Sequence, residues 1–170
     1  LIRLAGKYGF KAEISPEIES DGRAVSSTLI RSLIETGDIK SANKLLGRPF
    51  EMYGTVERGL QNGRKMGFPT ANLSYDGNLV LPHTGVYAGF TYFDGNRQNS
   101  VVNVGNNPTF GADRITIESH IFDFDKDIYD ENIRISFIEK IRGDVKFDGI
   151  DKLKAQIAND AQRANIILEG

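Results

Sequence analysis

The sequence predicts a mainly β protein, an antiparallel barrel or sandwich set between an α-rich N-terminal segment and a C-terminal helix. Three observations predict it. From near Phe50 to about Ile141, short runs rich in β-branched and aromatic residues alternate with Gly, Asn and Asp turns. No helical pattern intervenes between those runs, as expected of antiparallel sheets. After Asp148, Ile150, Leu153, Ile157, Ala161 and Ala164 recur at helical spacing, one apolar stripe to lay against a sheet.

The elements follow in order. Leu1, Leu4, Ala5 and Tyr8 share one helical face, and the chain opens inside that helix without Met, so it reads as the tail of something larger. Gly9 breaks the pattern, and FKAEIS (10–15) is an expected strand. Ser26, Ser27 and Thr28 precede Leu29, Ile30, Leu33 and Ile34, a helix start by capping chemistry. Gly37 ends that helix, Asp38 caps another carrying Ile39, Ala42, Leu45 and Leu46, and Gly47-Arg48-Pro49 stops it. The expected strands are FEMYGTVER, GVYAGFTYF, NSVVNVG, ITIESHIFDF and NIRISFIEKI, with Asp94-Gly95-Asn96 as a hairpin turn and Asp148 as the cap of the last helix.

Composition narrows the functional classes. The 170 residues are 39% hydrophobic and 26% charged with net charge −2, which advertises neither nucleic acid nor an anionic membrane as partner. Residues 113–131 carry seven acidic side chains against two basic ones, the opposite of an oligonucleotide groove. No apolar run approaches the ~20 residues of a membrane span. Zero cysteines exclude disulfide and thiol chemistry and fit a reducing cytoplasm. With only His83 and His120, a structural zinc site is not expected.

Three features could carry chemistry. Gly54, Gly59, Gly63 and Gly67 recur at intervals of five, four and four, interleaved with Arg58, Arg64 and Lys65. Such a run lets backbone amides approach an anion, or is simply a hairpin loop; no GxxxxGK[ST] motif is present. Next, Pro69 stiffens PTAN and keeps Phe68 extended, so Thr70 and Asn72 point to one face. A hydroxyl and a carboxamide oxygen side by side suit Mg²⁺, or merely bond the local backbone. Third, alternation in ITIESHIFDF puts Ile115, Ile117 and Ile121 on one face and Thr116, Glu118, His120, Phe122 and Phe124 on the other. Glu118 alone reads as a solvated carboxylate, and His120 as packing or edge polarity. The acidic run after it (Asp123, Asp125, Asp127, Asp130, Glu131) reads as a solvated turn.

Taken together, GTVERGLQNGRKMGFPTAN, GVYAG, NVGNNPTF, IESHIFDF and KIRGDVKFDGIDKLKAQIANDAQRA resemble the riboflavin kinase family, specifically the kinase module of bacterial bifunctional riboflavin kinase/FAD synthetases. The resemblance runs from about Gly47 to the C-terminus. Upstream, VSSTLIR resembles the ISSTxxR motif of nucleotidylyltransferases, with Val for the usual Ile; that family's HxGH-type element is not found in these residues.

The resemblance implies a six-stranded antiparallel Greek-key barrel with a C-terminal helix over 47–170, after a remnant of an adenylyltransferase domain over 1–46. It implies transfer of the ATP γ-phosphoryl group to the riboflavin 5′-hydroxyl, giving FMN and ADP, with FMN adenylylation to FAD in the full-length protein. Glu118 would be the base, and Thr70 and Asn72 would hold Mg²⁺. Gly54, Gly59, Gly63, Lys65, Gly67 and Pro69 would surround ATP with Thr70, Asn72, Tyr87 and Asn103. Phe68, Arg142, Val145 and Phe147 would meet the flavin. Ser26, Ser27, Thr28 and Arg31 would belong to the adenylyltransferase site. A non-catalytic flavin- or nucleotide-binding barrel is the alternative, and would not need both the PTAN pair and Glu118.

Overall fold

The helix ends follow from their caps. In this computed structural model, which describes residues 1–170 apart from 14, 15, 17, 21, 60 and 107–114, with backbone alone at 23, 62 and 65, α1 is Ile2–Tyr8. The Ser26 hydroxyl accepts from the Leu29 N–H at 3.2 Å and starts α2, Ser27–Thr36. Gly37, at φ 84°, closes it. The Asp38 carboxylate accepts from the Ser41 N–H and starts α3, Ile39–Leu46. FKAEIS is not the predicted strand: residues 10–13 form none, and 14 and 15 lie outside the described residues. The local strands are instead a two-residue pair, β1 (Glu19–Ser20) and β2 (Arg23–Ala24).

Six strands then close a barrel: β3 (Phe50–Glu57), β4 (Ala71–Ser74), β5 (Gly85–Phe93), β6 (Asn96–Asn106), β7 (Ile115–Ile121) and β8 (Asn132–Arg142). Their order around the barrel is β3-β4-β7-β6-β5-β8, every pairing antiparallel, with β8 returning to β3. The β5–β6 hairpin turns at Asp94 and Gly95, both at positive φ. The four residues of β4, not among the five runs anticipated, bridge β3 to β7 and complete the closure. Between β3 and β4 the glycine-rich segment is not all loop: Asn62–Met66 forms the short helix α4.

Alternation fills the barrel. Met52, Leu73, Tyr87, Val102, Ile117 and Phe137 belong to one buried cluster. Among them sits a buried hydroxyl group: Thr91 Oγ1 lies 3.0 Å from Ser100 Oγ and 2.7 Å from Ser119 Oγ, and Ser100 donates to the Gly89 carbonyl. Each of these buried oxygens therefore has a partner.

Helices α2 and α3 share this core. Ile34, Ile39 and Ala42 belong to the same cluster as Met52 and Phe137. Asn43 stitches α3 to the barrel, its amide donating to the Phe137 carbonyl at 2.8 Å and its oxygen accepting from the Phe50 N–H at 2.7 Å. The composition changes near residue 46, but the packing is continuous across it.

The last helix, α5, runs Ile150–Glu169. Its N-cap is Gly149 with no side-chain cap bond, so Asp148, one position too early, does not fill the role expected of it. Ile150 is exposed, while Ala161, Ala164 and Ile167 pack on Val86, Val101 and Ile141 of the outer sheet face. Arg142 at the end of β8 meets Asp160 of α5 through Nε at 3.1 and 2.9 Å and Nη2 at 2.8 Å, and Gln156 adds an amide to the same carboxylate. Asp160 is only 1% exposed, so this ion pair is a largely buried polar anchor of α5.

Candidate active site on the barrel wall

Cross-strand register brings the chemistry together. Asn72 of β4 lies directly opposite Glu118 of β7, and Glu118 lies opposite Asn103 of β6. Directly opposed residues of antiparallel strands share a face, so the three side chains form one row. Their neighbours Ala71, Leu73, Ile117 and Ser119 are buried inside, which puts the row on the outer face. Just before β4, the Thr70 hydroxyl donates to Glu118 Oε2 at 3.1 Å. Thr70 thus bonds the Glu118 carboxylate, and Asn72 stands opposite the same residue across the ladder.

The glycine segment covers this spot. A Cβ on Gly59 would stand 2.5 Å from Asn72 Nδ2 and 2.7 Å from its Cγ and Oδ1. A Cβ on Gly63 would strike the Phe68 carbonyl and lie 3.4 Å from Thr70 Oγ1. At Gly63 the obstacle is backbone, so glycine is required; at Gly59 a side chain would displace the Asn72 carboxamide. Gly67, at φ 90°, ends α4 and turns the chain into PTAN. The backbone of Lys65 lies in α4, and its side chain falls outside the described residues.

Next to Thr70 and Asn72 a cavity of about 330 Å³ opens, with Ser119, Phe124, Ile128 and Tyr129 also in its wall. Its size is at the small end for ligand pockets. The chain between β7 and β8 forms part of that wall and is held by Val56, which donates to the Glu131 carbonyl and accepts from the Asp130 N–H, both at 2.9 Å. Tyr129 connects it to the glycine segment: Gln61 donates to its hydroxyl at 3.3 Å, and the Arg58 guanidinium lies 4.7 Å from its ring centroid. Sequence patterning did not single out Gln61 or Tyr129, because neither belongs to a periodic element.

His120, read from the sequence as packing or edge polarity, does pack and also has a polar partner. It stands two residues from Glu118 on the same face, its Nδ1 is 2.8 Å from the Pro69 carbonyl, and its ring lies between Phe68 (5.5 Å) and Phe122 (5.7 Å). Strand alternation had already placed it on the right face; the signal lacking was its partner.

Two expected nucleotide residues lie elsewhere. Tyr87 points into the barrel, 0% exposed, its ring edge-on to Phe137 and its hydroxyl donating to the His83 carbonyl, so it offers no surface to a nucleotide. Burial also raises its phenol pKa well above the ordinary value. Gly54 sits within β3, where a Cβ would collide with the Ser74 carbonyl of β4; close strand packing explains that glycine.

The expected flavin residues fall in two groups. Phe68 packs against His120 beside PTAN. Arg142 lies three strand steps from Glu118, through Asn103 and Val86, with its guanidinium 5.7 Å from the Phe147 ring and Val145 exposed nearby in sequence. Three steps amount to roughly 14 Å at ordinary strand spacing. Ser26, Ser27, Thr28 and Arg31 are exposed at the start of α2.

Fold and site together define a closed antiparallel barrel carrying paired neutral oxygen donors against a carboxylate under a glycine cover. A sequence model of the Flavokinase family, described as riboflavin kinase, matches residues 46–168. The chain belongs to the riboflavin kinase family. A Bacillus subtilis protein described as bifunctional riboflavin kinase/FMN adenylyltransferase is 38% identical over 164 residues, covering 95% of this chain and 51% of that protein. One of the same description from Haemophilus influenzae is 37% identical over 166 residues, covering 96% and 54%. The chain spans about half the length of the curated relatives it matches. A crystal structure described as a macrolide-efflux protein from Streptococcus pneumoniae aligns with TM-score 0.86 at 34% identity, over 95% of this chain and 53% of that one. Riboflavin kinase from Trypanosoma brucei aligns with TM-score 0.51 at 22% identity, over 71% and 80%, a likeness of fold. Among the described residues, no helix is long and apolar enough to cross a membrane.

Proposed function

We propose that this chain transfers the γ-phosphoryl group of ATP to the 5′-hydroxyl of riboflavin, giving FMN and ADP. The observation that carries this reading is the Thr70 hydroxyl bonded to Glu118, with Asn72 opposite the same residue and Gly59 and Gly63 close over Asn72 and Thr70; membership of the riboflavin kinase family supports it. Phosphoryl transfer demands positioning and charge neutralisation more than covalent help from the protein. Glu118 takes the proton of the ribityl hydroxyl as its oxygen bonds to the γ-phosphorus and the β–γ bridging oxygen leaves with ADP. Thr70 occupies Glu118 Oε2, leaving Oε1 for that hydroxyl.

The residues fit a hard divalent cation. Thr70 and Asn72 each carry a neutral oxygen and both lie next to Glu118, and among the described residues no group of three or more His, Cys, Asp or Glu could hold a metal alone. Thr70 and Asn72 would hold Mg²⁺, which when bound there neutralises charge on the ATP phosphates. Gly59, Gly63, Lys65, Gly67 and Pro69 surround the nucleotide, with Asn103 beside Glu118. Phe68, Arg142, Val145 and Phe147 meet the flavin.

The longer relatives are described as also carrying FMN adenylyltransferase activity. We assign residues 1–46, with Ser26, Ser27, Thr28 and Arg31, to such a domain and 47–170 to the kinase; the whole protein then also converts FMN to FAD. A cytoplasmic enzyme acting on small molecules, with neither nucleic acid nor membrane as partner, completes the reading.

The test is chromatography of the purified chain incubated with riboflavin and Mg-ATP. FMN without FAD is expected. Binding of both substrates without FMN would instead mark a non-catalytic flavin- and nucleotide-binding barrel.

A further inference from the structure

The β4–β7 ladder stops short of the residues that most need to be held. Ala71 pairs with Ser119 and Asn72 with Glu118, so one further step would set Thr70 against His120. The chain before Thr70 is Pro69, which has no N–H to continue a ladder. Its carbonyl takes the His120 Nδ1 instead, at 2.8 Å. A carbonyl only accepts, so Nδ1 carries the hydrogen and His120 is the donor. The same ring lies edge-on to Phe68, and the Phe68 N–H donates to the Gly63 carbonyl at 2.9 Å. A single imidazole therefore ties together strand β7, the entry to PTAN and the end of the glycine segment.

We infer that His120 is a positioning residue for phosphoryl transfer: its Nδ1–H to the Pro69 carbonyl fixes the Thr70 hydroxyl against Glu118. The inference rests on the kinase reading above, with Thr70 as metal ligand and Glu118 as base. His120 acts by fixing the backbone one residue before Thr70, whose hydroxyl bonds Glu118. Its hydrogen bond and its ring do separable work. The hydrogen bond sets Thr70, while the ring fills space between Phe68 and Phe122.

Two substitutions separate them. His120→Phe keeps an aromatic ring between its neighbours and removes the donor. His120→Asn keeps an N–H near the Nδ1 position and removes the ring. The expected order of kcat for FMN formation is wild type, then Asn, then Phe, with Phe down about tenfold, the effect of one hydrogen bond. The expected order of Tm is wild type, then Phe, then Asn. Turnover that instead follows stability, or wild-type kcat in His120→Phe, overturns the inference. A second readout needs no turnover, so it stands even if the wild-type chain makes no FMN and the kinase reading falls. In a crystal structure of His120→Phe, the Thr70 Oγ1–Glu118 Oε2 contact should open beyond hydrogen-bond range. A contact kept at its present length contradicts the positioning role.

Discussion

Thr70 Oγ1 lies 3.1 Å from Glu118 Oε2, although the two residues are 48 positions apart in the chain. The pairing of Asn72 with Glu118 across β4 and β7 brings the two stretches together, so the proposed metal ligands and the proposed base are neighbours by register. Glu118→Gln removes the proton acceptor and keeps the shape. It should lower kcat by about 10²–10⁴-fold while ATP binding, read by calorimetry, is largely kept. Full activity would remove Glu118 from its role.

Asn72→Ala should raise the Mg²⁺ concentration needed for half-maximal activity and weaken Mg-dependent nucleotide binding. A loss of about tenfold fits one metal-ligand or hydrogen-bond contribution. An unchanged Mg²⁺ titration would count against the ligand assignment.

Two glycines of the same run should respond differently to alanine. At Gly59 the new methyl meets the Asn72 side chain, so activity should fall with little change in Tm. At Gly54 it meets the Ser74 backbone in the barrel wall, which cannot yield in the same way. Gly54→Ala should cost about 1–3 kcal/mol by urea denaturation, the usual range for overpacking. Equal effects of the two on stability would contradict this division.

Asp160→Ala leaves Arg142 without its carboxylate at the β8–α5 junction. Arg142 keeps some access to solvent, so the expected loss in unfolding free energy is below the ~3–5 kcal/mol of a fully buried pair. A variant as stable as wild type would show that the ion pair does not hold α5.

Glu51 gives the barrel a pH dependence. Burial raises its pKa, but hydrogen bonds from Ser136 and Tyr53 and the charges of Arg134 and Arg48 outweigh that and hold it below the ordinary 4.5. A carboxyl depressed on folding contributes stability that is present above 4.5 and lost as pH falls through the lower folded value. Glu51→Gln should therefore lose stability near neutral pH and flatten its decline below about pH 4.5 in acid titrations of Tm. An acid limb identical to wild type would refute this origin.

Much of the architecture was written in local pattern. The alternation of β7 put Ile117 on one face and Glu118 and His120 on the other, and Asp94-Gly95 marked the β5–β6 turn. β4 was illegible as a strand because four residues carry too little alternation; its partners, Glu57 and Ser119, make it one. Tyr87 and Gly54 show the complementary limit. An aromatic in a two-sided hydrophobic strand does not declare its face, and a wall glycine reads like a phosphate-loop glycine until its neighbour is known. The Arg142–Asp160 pair was equally hidden, since a buried acid on a helix looks like a solvated one when its partner stands on another element.

The most direct measurement is transfer of a labelled γ-phosphate from Mg-ATP to riboflavin by this chain. The account predicts label in FMN at the 5′ position, reduced about 10²–10⁴-fold in Glu118→Gln. Label remaining in ATP or appearing only as inorganic phosphate would contradict it.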